Sequence, residues 1–161
     1  MKITYLHHSG FSVETETKVL LFDYYTEGGR KAYFDPAAYP DKAVFVFVSH
    51  AHEDHYDRRI LSWAKLPNVR YVLSFDVRTE AGFEGRVLRA EPHRTYDFDG
   101  ISIQTLRSND EGVAFLVKAD GKTIYHAGDL NWWHWNGEPE DFNAHIEKSY
   151  TTEINRLKGE K

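Results

Sequence analysis

The chain has 161 residues, no cysteine, and 20 Lys+Arg against 25 Asp+Glu, for a formal net charge of −5. That length suits one domain with a core of its own, and the missing thiols exclude disulfides, thiolate metal sites and cysteine nucleophiles. The mildly acidic balance, without any basic block, argues against a nucleic-acid partner. No apolar run approaches the ~20 residues of a membrane span, and the N-terminus reads as a strand rather than a signal peptide. A soluble, cytoplasmic protein without a membrane partner is expected.

Short strands are expected at residues 3–8, 11–14 and 18–25, broken by Gly10 and the polar Thr15-Glu16-Thr17. Residues 26–42, which include Pro36 and Pro40, read as loop. The run Ala43-Val44-Phe45-Val46-Phe47-Val48-Ser49 is apolar on both faces, the pattern of a strand buried within layers. A short helix over 57–65 follows, with Ile60, Leu61 and Ala64 inward. Further strands are expected at 70–75, 86–89, 101–106, 113–119 and 123–126, and Asp120-Gly121 marks a hairpin between the last two. A long helix over 139–158 carries one apolar stripe through Phe142, Ile146, Tyr150, Ile154 and Leu157.

Nine histidines are many for this length, and their distribution is telling. Directly after the buried strand stands Ser49-His50-Ala51-His52-Glu53-Asp54-His55. Chance would produce this H-x-H-x-D-H spacing roughly 2 times in 1,000 for such a composition. In an extended exit from a strand, His50 and His52 project to one side, and the following turn can swing Asp54 and His55 towards a neighbouring point. Imidazole and carboxylate together suit a divalent metal of intermediate hardness. Gly128-Asp129, at the end of the strand over 123–126, offers a carboxylate able to approach a metal pair closely.

With these residues in view, the chain resembles the metallo-β-lactamase-fold hydrolases, in the branch similar to ascorbate-6-phosphate lactonase. Tyr5-Leu6-His7-His8-Ser9-Gly10-Phe11, the His50 to His55 loop, and His126-Ala127-Gly128-Asp129-Leu130-Asn131-Trp132-Trp133 carry the resemblance. It implies an α/β fold, a four-layer αββα sandwich, spanning 1–161 as one domain incomplete at its C-terminus. It also implies that His50 and His52 bind a first metal, that Asp54 and His55 bind a second, and that Asp129 bridges both. Asp54 would orient the attacking water or take up its proton. Two divalent ions are expected in the complete protein, zinc first, with manganese or iron as alternatives. The implied activity is hydrolysis of a small ester, lactone, amide or phosphoester.

Two ligands of the family pattern have no histidine here. After the strand at 101–106 the chain reads Arg107-Ser108-Asn109-Asp110-Glu111-Gly112. Asp110 and Glu111 are read as a solvated turn, with oxygen ligation the alternative. No histidine follows His145, which is expected on the helix surface. The chain is therefore read as a fragment with weakened metal binding and an unpaired sheet edge through which copies could associate. His8 is expected either as a residue that touches substrate or supports the metal ligands or as hydrogen-bonded scaffold close to the site, and Asp23 as a turn carboxylate or a partner to a metal-bound histidine. Trp132 and its neighbours form either a substrate wall or a clasp for the long helix, and His134 either touches substrate or is incidental. His126 is expected to be structural and His93 a loop residue. The competing functions are a non-catalytic metal- or partner-binding remnant and a nuclease, the latter disfavoured by the absent basic surface.

Overall fold

A computed structural model describes residues 1–29, 33–79 and 85–160. Residues 30–32 of the expected loop lie outside the described residues. Ten strands form two sheets among those that are described. The first contains, in spatial order, β1 (Lys2–His7), β2 (Gly10–Glu14), β3 (Lys18–Phe22), β4 (Ala43–Val48), β5 (Val69–Ser74) and β6 (Val87–Ala90). Strands β1 to β3 pair antiparallel, and β3 to β6 run parallel. The second sheet is an antiparallel meander of β7 (Thr95–Phe98), β8 (Ile101–Arg107), β9 (Val113–Ala119) and β10 (Lys122–His126).

The unbroken apolar run of β4 is explained by its position. Phe45 and Phe47 face the second sheet and join Phe22, Ile103, Phe115 and Val117 in the core between the sheets. Val44, Val46 and Val48 point the other way, into a second cluster with Tyr71, Leu73, Ile60 and Trp63. Side chains alternate along a strand, so burial on both faces demands apolar residues at every position.

The outer layers follow from the same accounting. A 3₁₀ segment, Arg58–Lys65, covers the first sheet, where a short helix was expected; the Asp57 carboxylate starts it by accepting from Arg59 N at 2.9 Å. Pro67 stands just beyond its end. On the far side of the second sheet, α1 (Glu140–Asn155) and the turn after it lay Tyr150, Ile154 and Leu157 over Leu106, Ala114 and Leu130. The result is the four-layer order expected from the sequence. The helix lies within the span predicted, and His145 is exposed on it. No helix among the described residues is long and apolar enough to cross a membrane.

Strand β7 was not expected. Its turn to β8, Asp99-Gly100, repeats the dipeptide of the β9–β10 turn, and both aspartates have positive φ, 46° and 48°. Asp120 does more than shape its turn. Its carboxylate accepts from Thr15 Oγ1 and Thr17 N, both at 2.8 Å, and from Lys18 Nζ at 2.9 Å, fastening the second sheet to the β2–β3 turn of the first.

The Lys18 ammonium and the Thr17 amide hold the Asp120 carboxylate well below the usual range. Such a group contributes fully above the ordinary aspartate value of about 3.9, and its contribution is lost as pH falls through the lowered folded value. Asp120→Asn keeps a residue suited to the turn and removes the charge. It is expected to cost on the order of 1 kcal/mol at neutral pH. In thermal unfolding at a series of pH values, the gap to the wild type should close as the pH is taken below about 4. A gap independent of pH would mean that the charge is irrelevant.

Candidate metal centre

Strands β3, β4 and β5 end together, at the edge where a parallel sheet presents its loops. The loop leaving β4 is braced from both sides by carboxylates that follow its neighbours. Asp76, beyond β5, accepts from Ala51 N at 2.8 Å. Asp23, directly after β3, is fully buried and accepts from Ser49 N at 2.8 Å and Ser49 Oγ at 2.7 Å. It also accepts from His55 Nδ1 at 2.9 Å and from His126 Nε2, at the end of β10, at 2.7 Å. Burial opposes the charge on Asp23, but His126 and His55 outweigh it and hold the carboxyl well below the usual carboxylate range.

These hydrogen bonds determine which ring nitrogens are bare. His55 donates Nδ1–H to Asp23, so in the neutral ring its Nε2 carries the lone pair. Ser49 Oγ spends its hydrogen on Asp23, so the 3.0 Å contact between Ser49 Oγ and His50 Nδ1 has the ring as donor. His50 Nε2 is therefore bare as well. It is buried, has no hydrogen-bond partner, and faces Asp129 Oδ2 at 3.7 Å. His55 Nε2 faces Asp129 Oδ1 at 3.3 Å. Each oxygen of Asp129 thus looks at one bare imidazole nitrogen. Burial, and then the neighbouring His55, push the His50 pKa down and keep that ring neutral. Burial lowers His55 too, but the Asp23 hydrogen bond and the charges of Asp23, Asp129 and Asp54 more than reverse it.

Two groups of donors result, each with its ligand atoms within 4.8 Å of one another: His50, His52, Asp110 and Asp129, and His8, Asp54 and His55. The close approach rests on two glycines. At Gly112 (φ +70°) a Cβ would fall on the Ser49 carbonyl oxygen and within 2.7 Å of His50 Cβ; at Gly128 (φ +53°) it would meet Ser49 Cβ at 2.7 Å. His8, expected either to serve the site or as scaffold, holds Nε2 2.9 Å from Asp54 Oδ2. Asp110, expected as a solvated turn, stands 3.7 Å from His52 Nδ1.

The two readings of the tryptophan stretch, wall and helix clasp, divide between its members. Trp132 packs near Tyr150 of α1, 6.1 Å between ring centroids, and His134 is exposed. Trp133 and Trp135 stack at 5.9 Å and line a cleft of about 260 Å³ with Asp110, Asp129, Phe142 and Ile146. On the other flank a cleft of about 460 Å³ runs from His8 and Gly128 along Phe11, Val13, Ile124 and Tyr125.

A family profile described as a β-lactamase superfamily domain matches residues 2–140. The chain belongs to the β-lactamase superfamily. A superfamily relative, a metal-dependent hydrolase of Pyrococcus abyssi, is 30% identical over 142 residues, which cover 80% of this chain and 61% of that protein. A metallo hydrolase from the archaeon Ignicoccus hospitalis superposes with a TM-score of 0.54 at 20% identity, over 80% of this chain and 60% of that one. A metallo-β-lactamase from Staphylococcus aureus does so with a TM-score of 0.54 at 16% identity, over 98% and 51%. The fold is that of the metallo-β-lactamases. The chain spans 61%, 63% and 62% of the length of three curated relatives it matches.

The sequence offered Asp23 as a turn carboxylate or a partner to a histidine and His126 as structural; the structure gives Asp23 the partner role and joins the two. A carboxylate closing the apolar run Val19-Leu20-Leu21-Phe22 was the available signal for Asp23. Nothing local signals His126, which reaches Asp23 from the other sheet. Asp23→Ala would strand Ser49 and two imidazoles without their acceptor, and is expected to cost about 3–5 kcal/mol in urea unfolding. A loss under about 1 kcal/mol, the worth of one ordinary hydrogen bond, would show the network to be dispensable.

Proposed function

We propose that this superfamily domain is part of a metal-dependent hydrolase and that its two donor groups hold a pair of divalent cations. The observation that carries this reading is His50 Nε2, a buried lone pair without a partner, aimed at a carboxylate whose other oxygen faces His55. A buried polar atom left alone is costly, and a cation between His50 and Asp129 would satisfy it. His50 and His52 would hold one ion, Asp54 and His55 the other, with Asp129 between them. Zinc is the first candidate for this imidazole and carboxylate set, with manganese and iron next.

A divalent cation in such a site supplies Lewis acidity and lowers the pKa of water towards neutrality. The chain's own residues do the rest. Asp23 and Ser49 keep the Nε2 atoms of His55 and His50 turned towards Asp129. Burial opposes the charge on Asp54, but its own backbone amide, His55 and His8 outweigh it and keep the carboxyl below its ordinary pKa. Asp54, charged at neutral pH like any ordinary aspartate, would orient attacking water by accepting a hydrogen bond from it. His8, at 2.9 Å, fixes the orientation of that carboxylate. The cleft along Phe11, Ile124 and Tyr125 suits the hydrocarbon part of a small ester, lactone, amide or phosphoester substrate.

Metal content after loading with Zn²⁺ and dialysis is expected at two ions per chain. Asp129→Ala should lower affinity by more than the order of 10–100-fold that loss of a supporting partner costs. Hydrolysis of a panel of ester, lactone and phosphodiester substrates should fall with it, while the circular dichroism spectrum is retained. Two ions without turnover of any substrate would favour a metal-binding module, and no bound ion would end the reading.

A further inference from the structure

The metal reading leaves the first position with two histidines and Asp129, where three imidazoles would be the nitrogen-rich alternative. We propose that Asp110 is the fourth protein ligand of that position, making it a site of two imidazole nitrogens and two carboxylate oxygens. This rests on the metal-binding reading above and goes beyond it in naming a ligand and its consequence for metal choice.

Three observations carry it. Asp110 lies in the same group as His50, His52 and Asp129, with all four ligand atoms within 4.8 Å. His50 Nε2, buried and unpartnered, is aimed into that group. The loop bearing Asp110 is tied to the backbone on both sides of the site. Val113 N donates to Ser49 O at 2.9 Å, with Gly112 packed on Ser49 and His50. Asn109 donates through Nδ2 to Asn131 O at 2.7 Å and accepts from Asn131 N at 3.2 Å, two residues beyond Asp129. Asp110 N donates to Ser108 Oγ at 3.1 Å, which sets the residue's direction within the turn. An exposed carboxylate on a free turn would have no reason for such anchoring to the residues around His50 and Asp129.

Glu111 is the rival, and it faces a different atom. His52 Nδ1 looks at Asp110 at 3.7 Å, while His52 Nε2 looks at Glu111 at 3.5 Å. A ligating imidazole uses one nitrogen for the ion and gives the proton on the other to an orienting carboxylate. Asp110 shares the ion's side of the ring, and Glu111 takes the orienting role.

The donor set has a consequence. Asp110 adds a second carboxylate oxygen beside that of Asp129, and oxygen donors favour harder ions such as manganese relative to a histidine-rich site. Zinc still binds more tightly in absolute terms, so the prediction concerns the ratio of the two affinities.

The test is competition binding of Zn²⁺ and Mn²⁺, each against a chromophoric chelator, on the wild type, Asp110→Ala, Asp110→His and Glu111→Gln, with Asp129→Ala as the reference. Asp110→Ala should lose at least about tenfold affinity at one of the two positions and leave the other unchanged. Asp110→His should recover zinc but not manganese, raising the zinc-to-manganese ratio by about tenfold or more. Melting temperatures of the metal-free Asp110 variants should match the metal-free wild type, since the side chain is exposed. If Asp110→Ala binds both ions as the wild type does while Asp129→Ala does not, the metal reading stands and the Asp110 assignment falls. If Glu111→Gln and not Asp110→Ala weakens the first position, the roles are reversed and the proposal is overturned. If the wild type binds neither ion, both readings fall together.

Discussion

Asp23 takes four hydrogen bonds where three segments of the chain meet. Ser49 brings the end of β4, His55 the loop beyond it, and His126 the end of β10 in the opposite sheet. A carboxylate with no exposure would be costly alone, and it is tolerable here because four donors meet it, three at Oδ2 and one at Oδ1. The same bonds do structural and chemical work. They join the sheets at the rim, and in the neutral rings they place the protons of His50 and His55 on Nδ1, so that both Nε2 lone pairs face Asp129. The donor groups are a consequence of that constraint. Replacing Asp23 would not merely loosen the core; it would free the tautomers on which the site depends.

The opposite end of the sandwich is closed by another aspartate in a different style. Asp120 is near the surface, bound by hydroxyls, an amide and an ammonium, and it pins the β9–β10 hairpin to the β2–β3 turn. Between the two aspartates lies the aromatic core, where Phe47 contacts Phe22 at 4.7 Å and Phe115 at 5.2 Å between centroids. Core packing sets the separation of the sheets, and the two polar fasteners set their register at each end. The site needs that register, because Asp110 and Asp129 come from the second sheet while the histidines come from the first.

How much of this was legible in the sequence depends on how local each signal is. β4 was plain because burial on both faces leaves no polar position. His50, His52, Asp54 and His55 were plain because one loop carries them all. Strand β7 was missed because Thr95-Tyr96-Asp97-Phe98 offers only two apolar residues; the Asp99-Gly100 turn after it was the usable hint. The segment 58–65 carried an inward apolar pattern, which reveals the buried face but not the 3₁₀ pitch. Asp110 was read as a turn residue because its nearness to His50 comes from the clamp between Gly112 and Ser49, contacts 60 or more residues apart in the chain. The bond between His126 and Asp23 was not legible for the same reason. Among the tryptophans, composition pointed to the right stretch, but only the fold separates Trp132, against α1, from Trp133 and Trp135 beside Asp110 and Asp129.

Imidazole tautomers report on the Asp23 network directly, before any ion is added. Long-range ¹H–¹⁵N spectra of the metal-free chain, recorded at mildly alkaline pH so that the rings are neutral, resolve which nitrogen of each histidine is protonated. The expected result is His50 and His55 protonated on Nδ1 with bare Nε2, and His126 protonated on Nε2. In Asp23→Asn the His55 signal should no longer be confined to that form. A wild-type spectrum with the proton on Nε2 of His50 or His55 would contradict the whole arrangement, because the atoms facing Asp129 would then be donors and not ligands.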